Sequence, residues 1–279
     1  MPGALPNAPP WGTYRPDLPG RAIIALSRHS PLGRGPLRKL SARLFLRRHS
    51  GAVDAWLWGQ KIRLFPARNV SERKALLRPD RMDRSEYAFL RARLQRPGAV
   101  FVDVGANAGL YSLYAALHAG AGARILAIEP DASLLSRFDF NLALLREAAA
   151  NPCPIQVATA AVAVGDRDGE ALLATTGDEG SRSLLAGTGR PVKLRRLAGL
   201  LDEHGIETPS VIKIDVEGYE DRVLPPFLLE APRPRWPLSI IIEHVYRRRW
   251  SVDCIALCQA RGYRVIALTN NNTLLDRVD

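Results

Sequence analysis

The sequence predicts an α/β fold, a mostly parallel sheet with helices on both faces, preceded by a basic N-terminal extension. Two observations carry this. From Ala99 onward short apolar runs alternate with helical stretches, the pattern of strands joined by crossover helices. The charge is also split. Residues 1–100 hold 20 Lys and Arg against 6 Asp and Glu, whereas the remainder holds 19 against 22. With 279 residues, 47% of them hydrophobic, the chain can fill one large domain plus an appendage.

In chain order, residues 1–20 carry six prolines and read as a disordered tail. Residues 21–52 read as a basic helical extension. Leu37, Leu40 and Leu44 fall at i, i+3 and i+7, with Arg43 and Arg47 four apart. Its plain reading docks the leucines on protein and solvates the arginines. A sharper reading has residues 21–50 touching an anionic membrane surface or an acidic partner. Residues 53–98 read as a hairpin turning at Gly59-Gln60, then a helix from Arg84 to Gln95, both packed on the core. Residues 99–279 form the main domain. Its strands are expected at Val100–Val104, Arg124–Ile128, Ile155–Val164, Val211–Val216, Leu238–Glu243 and Tyr263–Leu268, with another at Gly169–Thr175. Helices are expected at Gly109–Ala119, Ala132–Ala149, Leu194–Glu203, Asp221–Leu229 and Val252–Arg261, and an exposed loop at Gly177–Gly189. Such a Rossmann-like sheet binds ligands along the C-terminal edge of its strands.

Three cysteines, Cys153, Cys254 and Cys258, are too few for a disulfide scaffold; Cys254 and Cys258, at i and i+4, read as core. With no apolar run near the ~20 residues of a membrane span and no signal pattern, a cytoplasmic location is expected.

The first strand end reads Asp103-x-Gly105-x-Asn107-x-Gly109. Glycines there admit a ligand to the backbone, and the next helix presents its amides. The spacing differs from G-x-G-x-x-G, so no pyrophosphate cradle is expected. Asp103 suits a cationic group such as the amine of a methionine moiety. Glu129, ending the second strand, suits a ribose diol. S-adenosylmethionine combines an amine, a sulfonium and a ribose. Val164, after the third strand, is expected to border its adenine.

With Glu129-Pro130, Asn141, the run Lys213-Ile214-Asp215-Val216-Glu217-Gly218, Glu220 and Glu243-His244, the chain from about Val53 to Leu268 resembles the FkbM-type methyltransferases. That resemblance implies the class I methyltransferase fold and O-methylation of a hydroxyl on a sugar, glycan, polyketide or other metabolite. Tyr219 departs from the alanine frequent in that family.

Asp215 is placed at the ligand edge, near both methyl donor and acceptor. Glu217, Glu243 and Arg247 are candidates for the acceptor, Arg247 as part of an arginine clamp on a phosphate or carboxylate. His244 is the first candidate for the base that takes the hydroxyl proton and Asp215 the second. Asp215, Glu243 and His244 could together hold a divalent cation, but base and hydroxyl suffice, and no metal is expected. The loop at Ser181-Arg182-Ser183 is a candidate lid. Two alternatives remain. One is a nucleic-acid methyltransferase using the basic region, disfavoured because that region lacks interleaved aromatics. The other is a non-catalytic binding module of the same fold.

Overall fold

The computed structural model describes residues 8–33, 35, 37–148, 155–175, 177–184 and 188–278. Met1–Asn7, Cys153 and part of the Gly177–Gly189 loop lie outside them. The chain divides into two compact units.

The first unit comprises Met1–Arg84, Ser136–Cys153 and Asp178–Gly180. It contains α1 (Leu18–His29), α2 (Leu37–Arg48), β1 (Val53–Leu57), β2 (Gln60–Leu64) and α3 (Val70–Leu77). Strands β1 and β2 pair antiparallel around Trp58-Gly59, whose φ values are 51° and 74°. Two left-handed residues are what a two-residue hairpin turn of type I′ demands. The turn therefore falls one position before the expected Gly59-Gln60.

The Pro-rich segment is not a free tail where it is described. A buried Arg63–Asp54 ion pair (2.7 Å) anchors it. Arg63 donates to the carbonyls of Pro9 and Pro10, and the Gly12 and Tyr14 amides donate to Asp54 Oδ2. A buried charge pair needs its remaining hydrogen-bonding capacity satisfied, and residues 9–14 supply it. The extension is two helices rather than one, with Asp17 capping α1 through the Gly20 amide. Helix α2 buries Ser41 and Phe45, so Leu37, Leu40 and Leu44 face solvent instead of docking. Elsewhere in the unit, Asn141 mimics a strand partner: its side chain accepts from the Arg63 amide (2.7 Å) and donates to the Arg63 carbonyl (3.0 Å). Glu72, fully buried, pairs with Arg137 at 2.9 Å.

The second unit comprises Ser85–Leu135, Pro154–Gly177 and Ser181–Asp279. The remaining elements are α4 (Arg84–Leu94), β3 (Val100–Val104), α5 (Leu110–His118), β4 (Arg124–Ile128), α6 (Ala132–Ala148), β5 (Gln156–Ala160), β6 (Ala163–Gly165) and β7 (Gly169–Leu173). They continue with β8 (Arg190–Arg196), α7 (Leu197–Glu203), β9 (Val211–Ile214), α8 (Leu224–Glu230), β10 (Ser239–Glu243), α9 (Cys254–Ala260), β11 (Tyr263–Leu268) and β12 (Asn272–Arg277). Helices α4 and α6 reach into both units.

The seven-stranded sheet has the order β11-β12-β10-β9-β3-β4-β5. Strands β10, β9, β3, β4 and β5 run parallel, and β12 is antiparallel to both its neighbours. Strand order reverses around β3, which places the ends of β3 and β9 at the ligand edge. One face carries Val102, Val104, Ile212, Ile214, Ile240 and Ile242, packed with α7, α8 and α9; Cys254 and Cys258 are buried in that core. Helix α5 covers the opposite face, where its Tyr111 meets Lys213.

Three features depart from expectation. The run Ile155–Val164 breaks into β5, in the main sheet, and β6, in a three-stranded sheet of order β6-β8-β7. The stretch expected to open a helix at Leu194 is still strand β8, and α7 begins at Leu197. Strand β12 was not anticipated. No helix among the described residues is long and apolar enough to cross a membrane.

Candidate active site

Four adjacent parallel strands, β4, β3, β9 and β10, end at one edge and deliver Glu129, the Gly105–Gly109 loop, Asp215 and Glu243. The loop after β3 is closed on itself. The Gly105 and Ala106 amides both donate to the Ile128 carbonyl at 3.0 Å. The Asn107 amide donates to Glu129 Oε2 (2.9 Å), the Ala108 amide to Asn107 Oδ1 (2.7 Å) and the Gly109 amide to the Ala106 carbonyl (2.8 Å). All five amides are thus engaged within the protein, leaving this loop unlike an anion cradle. Gly105 has φ +77°, and a Cβ there would stand 1.8 Å from the Asp215 carbonyl oxygen. The glycine is required by the close approach of β9, where the sequence suggested approach of a ligand.

Glu129 is buried and aimed by two amides, Asn107 to Oε2 and Asp131 to Oε1, each at 2.9 Å. Each oxygen keeps a lone pair. Burial pushes its carboxyl up to about 7. The helix-capping role falls to Asp131, which accepts from the Ser133 amide and hydroxyl, so Glu129 is not the cap of α6. Asp131 also pairs with Arg182 and Arg190.

Asp103 differs from expectation. It is fully buried, and its Oδ2 accepts from the Ser112 hydroxyl (2.7 Å) in the first turn of α5. The ammonium it faces is that of Lys213, 3.8 Å from Oδ1, and Oδ1 has no hydrogen-bond partner among the described residues. Burial raises the Asp103 carboxyl above its ordinary range despite Lys213 and Ser112. Lys213 also bonds Asp215 Oδ2 at 2.9 Å. Burial alone would lower its ammonium, but the Asp215 and Asp103 carboxylates outweigh it and keep it charged.

Asp215, Glu217 and Glu243 form a cluster whose ligand atoms lie within 4.8 Å of one another. Among the described residues these three, rather than Asp215, Glu243 and His244, are the group with the spacing to hold a cation. Glu217 has a left-handed backbone (φ 56°). It receives hydrogen bonds from Ser181 and Tyr246, and burial and then Asp215 push its carboxyl up to about 7. Glu243 is raised much further by burial and by Asp215 and Glu217, and its Oε2 is buried without a hydrogen-bond partner among the described residues. Glu220 is structural, accepting from the Val216 and Gly218 amides and from Trp250 Nε1 (2.8 Å).

Several expected site residues are engaged elsewhere. His244 Nδ1 lies 2.8 Å from the Thr273 hydroxyl and its ring also bonds the Asn270 backbone; burial and Arg247 lower its pKa. Arg247, expected in a clamp, pairs with Asp253, the N-cap of α9. Val164 is buried in the main core, so its side chain is not free to line the adenine.

The family model for the methyltransferase FkbM domain matches residues 103–265, more than half of the chain and the span that supplies every strand end of this edge. The chain belongs to the FkbM methyltransferase family.

Its similarity to the AMB antimetabolite synthetase AmbE of Pseudomonas aeruginosa is 33% identity over 161 residues, covering 46% of this chain but only 8% of AmbE. It is also similar to the solved methyltransferase FkbM of Methylobacillus flagellatus KT, at 15% identity and a TM-score of 0.39, covering 92% of this chain and 57% of that one. A third is an O-methyltransferase of Bacillus cereus solved in complex with SAH, at 16% identity and a TM-score of 0.41, covering 70% and 81%.

Within this FkbM edge, the three residues of the candidate lid are each engaged by the protein. Ser181 bonds Glu217, Ser183 Oγ donates to the Glu217 carbonyl (2.9 Å), and Arg182 pairs with Asp131. The suspected lid is thereby tied to the segments that follow both β4 and β9. Tyr246, a donor to Glu217, carried no sequence signal, lying in an aperiodic turn beside the arginines.

Proposed function

We propose that this FkbM methyltransferase uses S-adenosylmethionine to methylate a hydroxyl oxygen on a small molecule or glycan. The observation that carries the reading is Glu129. It is a buried carboxylate held by two amides beside a loop whose own amides are all engaged. This arrangement suits a neutral ribose diol and sits poorly with a diphosphate.

When bound, the cofactor supplies a methyl group on an already activated sulfonium. The chain's work is then positioning and proton acceptance. Gly105–Gly109 and Glu129 fix the nucleoside. Asp103 holds Lys213, and Lys213 holds Asp215, fixing the edge between donor and acceptor. Glu217 is the proton acceptor of this proposal. Its carboxyl, at about 7, can take the hydroxyl proton near neutral pH. Glu243, protonated at neutral pH, donates a hydrogen bond to the acceptor. His244, first choice from sequence, yields this role because its ring is engaged by Thr273 and Asn270.

Calorimetric titration tests the reading. S-adenosylmethionine and its demethylated product are expected to bind and NAD is not; saturable NAD binding without binding of the methyl donor would overturn it.

A further inference from the structure

Helix α2 carries a surface built from none of the residues assigned to methyl transfer above. Leu37, Leu40 and Leu44 recur at one helical face and are 42%, 47% and 42% exposed. In a protein-packed amphipathic helix these positions are the ones that become buried. Here Ser41 and Phe45 take that place, one step round the helix. Arg38, Lys39, Arg43 and Arg47 are exposed on the same helix, roughly 18 Å long. No acidic residue lies within α2, and Asp17 is the only one in residues 1–50, against nine Lys and Arg. Asp17 is already taken by Arg48, His49 and the Gly20 amide.

Helix α1 packs against α2 within the first unit and adds exposed Leu18 and Leu26. Beside it is a cavity of about 410 Å³, lined by Trp11, Trp56, Arg21, Arg28 and His29 among others. Arg28 Nη2 is buried there with no hydrogen-bond partner among the described residues, although Nε and Nη1 donate to the Leu76 and Trp56 carbonyls. Such a donor calls for an acceptor.

We propose that the α1–α2 face docks on an anionic lipid surface. The three leucines of α2 sink below the headgroups, its cations meet the lipid phosphates, and Arg28 offers its open donor to a headgroup at the cavity. Exposed leucines favour a bilayer over a nucleic acid, which offers cations their counterpart but gives an apolar row nothing to bury in. A charged row with no apolar stripe would have pointed the other way.

The test is co-sedimentation of the full chain with vesicles of phosphatidylcholine alone or mixed with phosphatidylglycerol. The protein is expected to pellet with the mixed vesicles and at least tenfold less with phosphatidylcholine alone. The variant Leu37→Ser/Leu40→Ser/Leu44→Ser should lose at least tenfold in partitioning. It should keep its thermal unfolding midpoint, because all three side chains are exposed. A second variant, Arg38→Gln/Lys39→Gln/Arg43→Gln/Arg47→Gln, should lose the preference for anionic vesicles. Failure to pellet with either vesicle overturns the proposal. So does binding unaffected by the leucine changes, or tighter binding to duplex DNA than to vesicles, which would make this a polyanion site. None of these outcomes depends on methyl transfer.

Discussion

Glu217 has three features that separate it from an ordinary surface acid: a left-handed backbone in a non-glycine residue, two hydroxyl donors, and a second carboxylate, Asp215, close enough to raise it. Backbone strain of this kind costs of order 1–3 kcal/mol and persists only where the surroundings impose it. With its pKa raised to about 7, the ionised form that accepts a proton grows as pH rises, so kcat/KM should climb through that value and then level. In Glu217→Gln the limb is expected to disappear and turnover to fall by about 10²-fold or more. In His244→Ala both should persist. A pH–rate profile on the three proteins decides, and a limb retained by Glu217→Gln but lost in His244→Ala would return the role to His244. At this scale the sequence was informative about which residues gather. Asp215, Glu217 and Glu243 all come from strand ends. It was silent on which side chains were already engaged: Thr273, Asn270 and Asp253 lie 6 to 29 residues from the groups they hold.

Between β3 and α5, the loop shows how an element can be legible for the wrong reason. Its glycines mark a ligand edge, yet Gly105 is demanded by the Asp215 carbonyl of the neighbouring strand. Gly105→Ala should therefore destabilise the protein by about 2 kcal/mol or more, through both the positive φ and the clash. Urea denaturation checks this, and an unchanged midpoint would mean that β9 moves away at no cost. Elsewhere, the parallel strands were readable because each is a short apolar run. Strand β8 reads basic except at Pro191 and its buried Val192 and Leu194, so its short alternation merged with the apolar start of α7. Strand β12 exists because β10 and β11 both pair with it. That is a long-range fact no local pattern in Asn-Thr-Leu-Leu-Asp-Arg conveys.

For the whole molecule, the uneven charge along the chain coincides with a division of labour. The neutral part holds the sheet and its edge, and the basic part holds α1, α2 and the hairpin. Buried acids also set the response to pH. Glu129 and Glu217, raised from 4.5 to about 7, bind protons in the folded chain that the unfolded chain releases. Stability from these groups is therefore present below about pH 4.5 and lost as pH rises through 7. The urea midpoint should fall between about pH 5 and pH 8, and Glu129→Gln should flatten the fall; a rise across this window would show that neither acid is protonated in the folded chain, and a fall that Glu129→Gln leaves unchanged would show that Glu129 is not. The central claim is that the shared strand edge grips a methyl-donating nucleoside through Glu129. Calorimetry of S-adenosylmethionine binding to the wild-type protein and to Glu129→Ala tests it most directly. The expected result is a loss of at least about tenfold in affinity, the worth of a charge-assisted hydrogen bond. Equal affinity in the two proteins would contradict it.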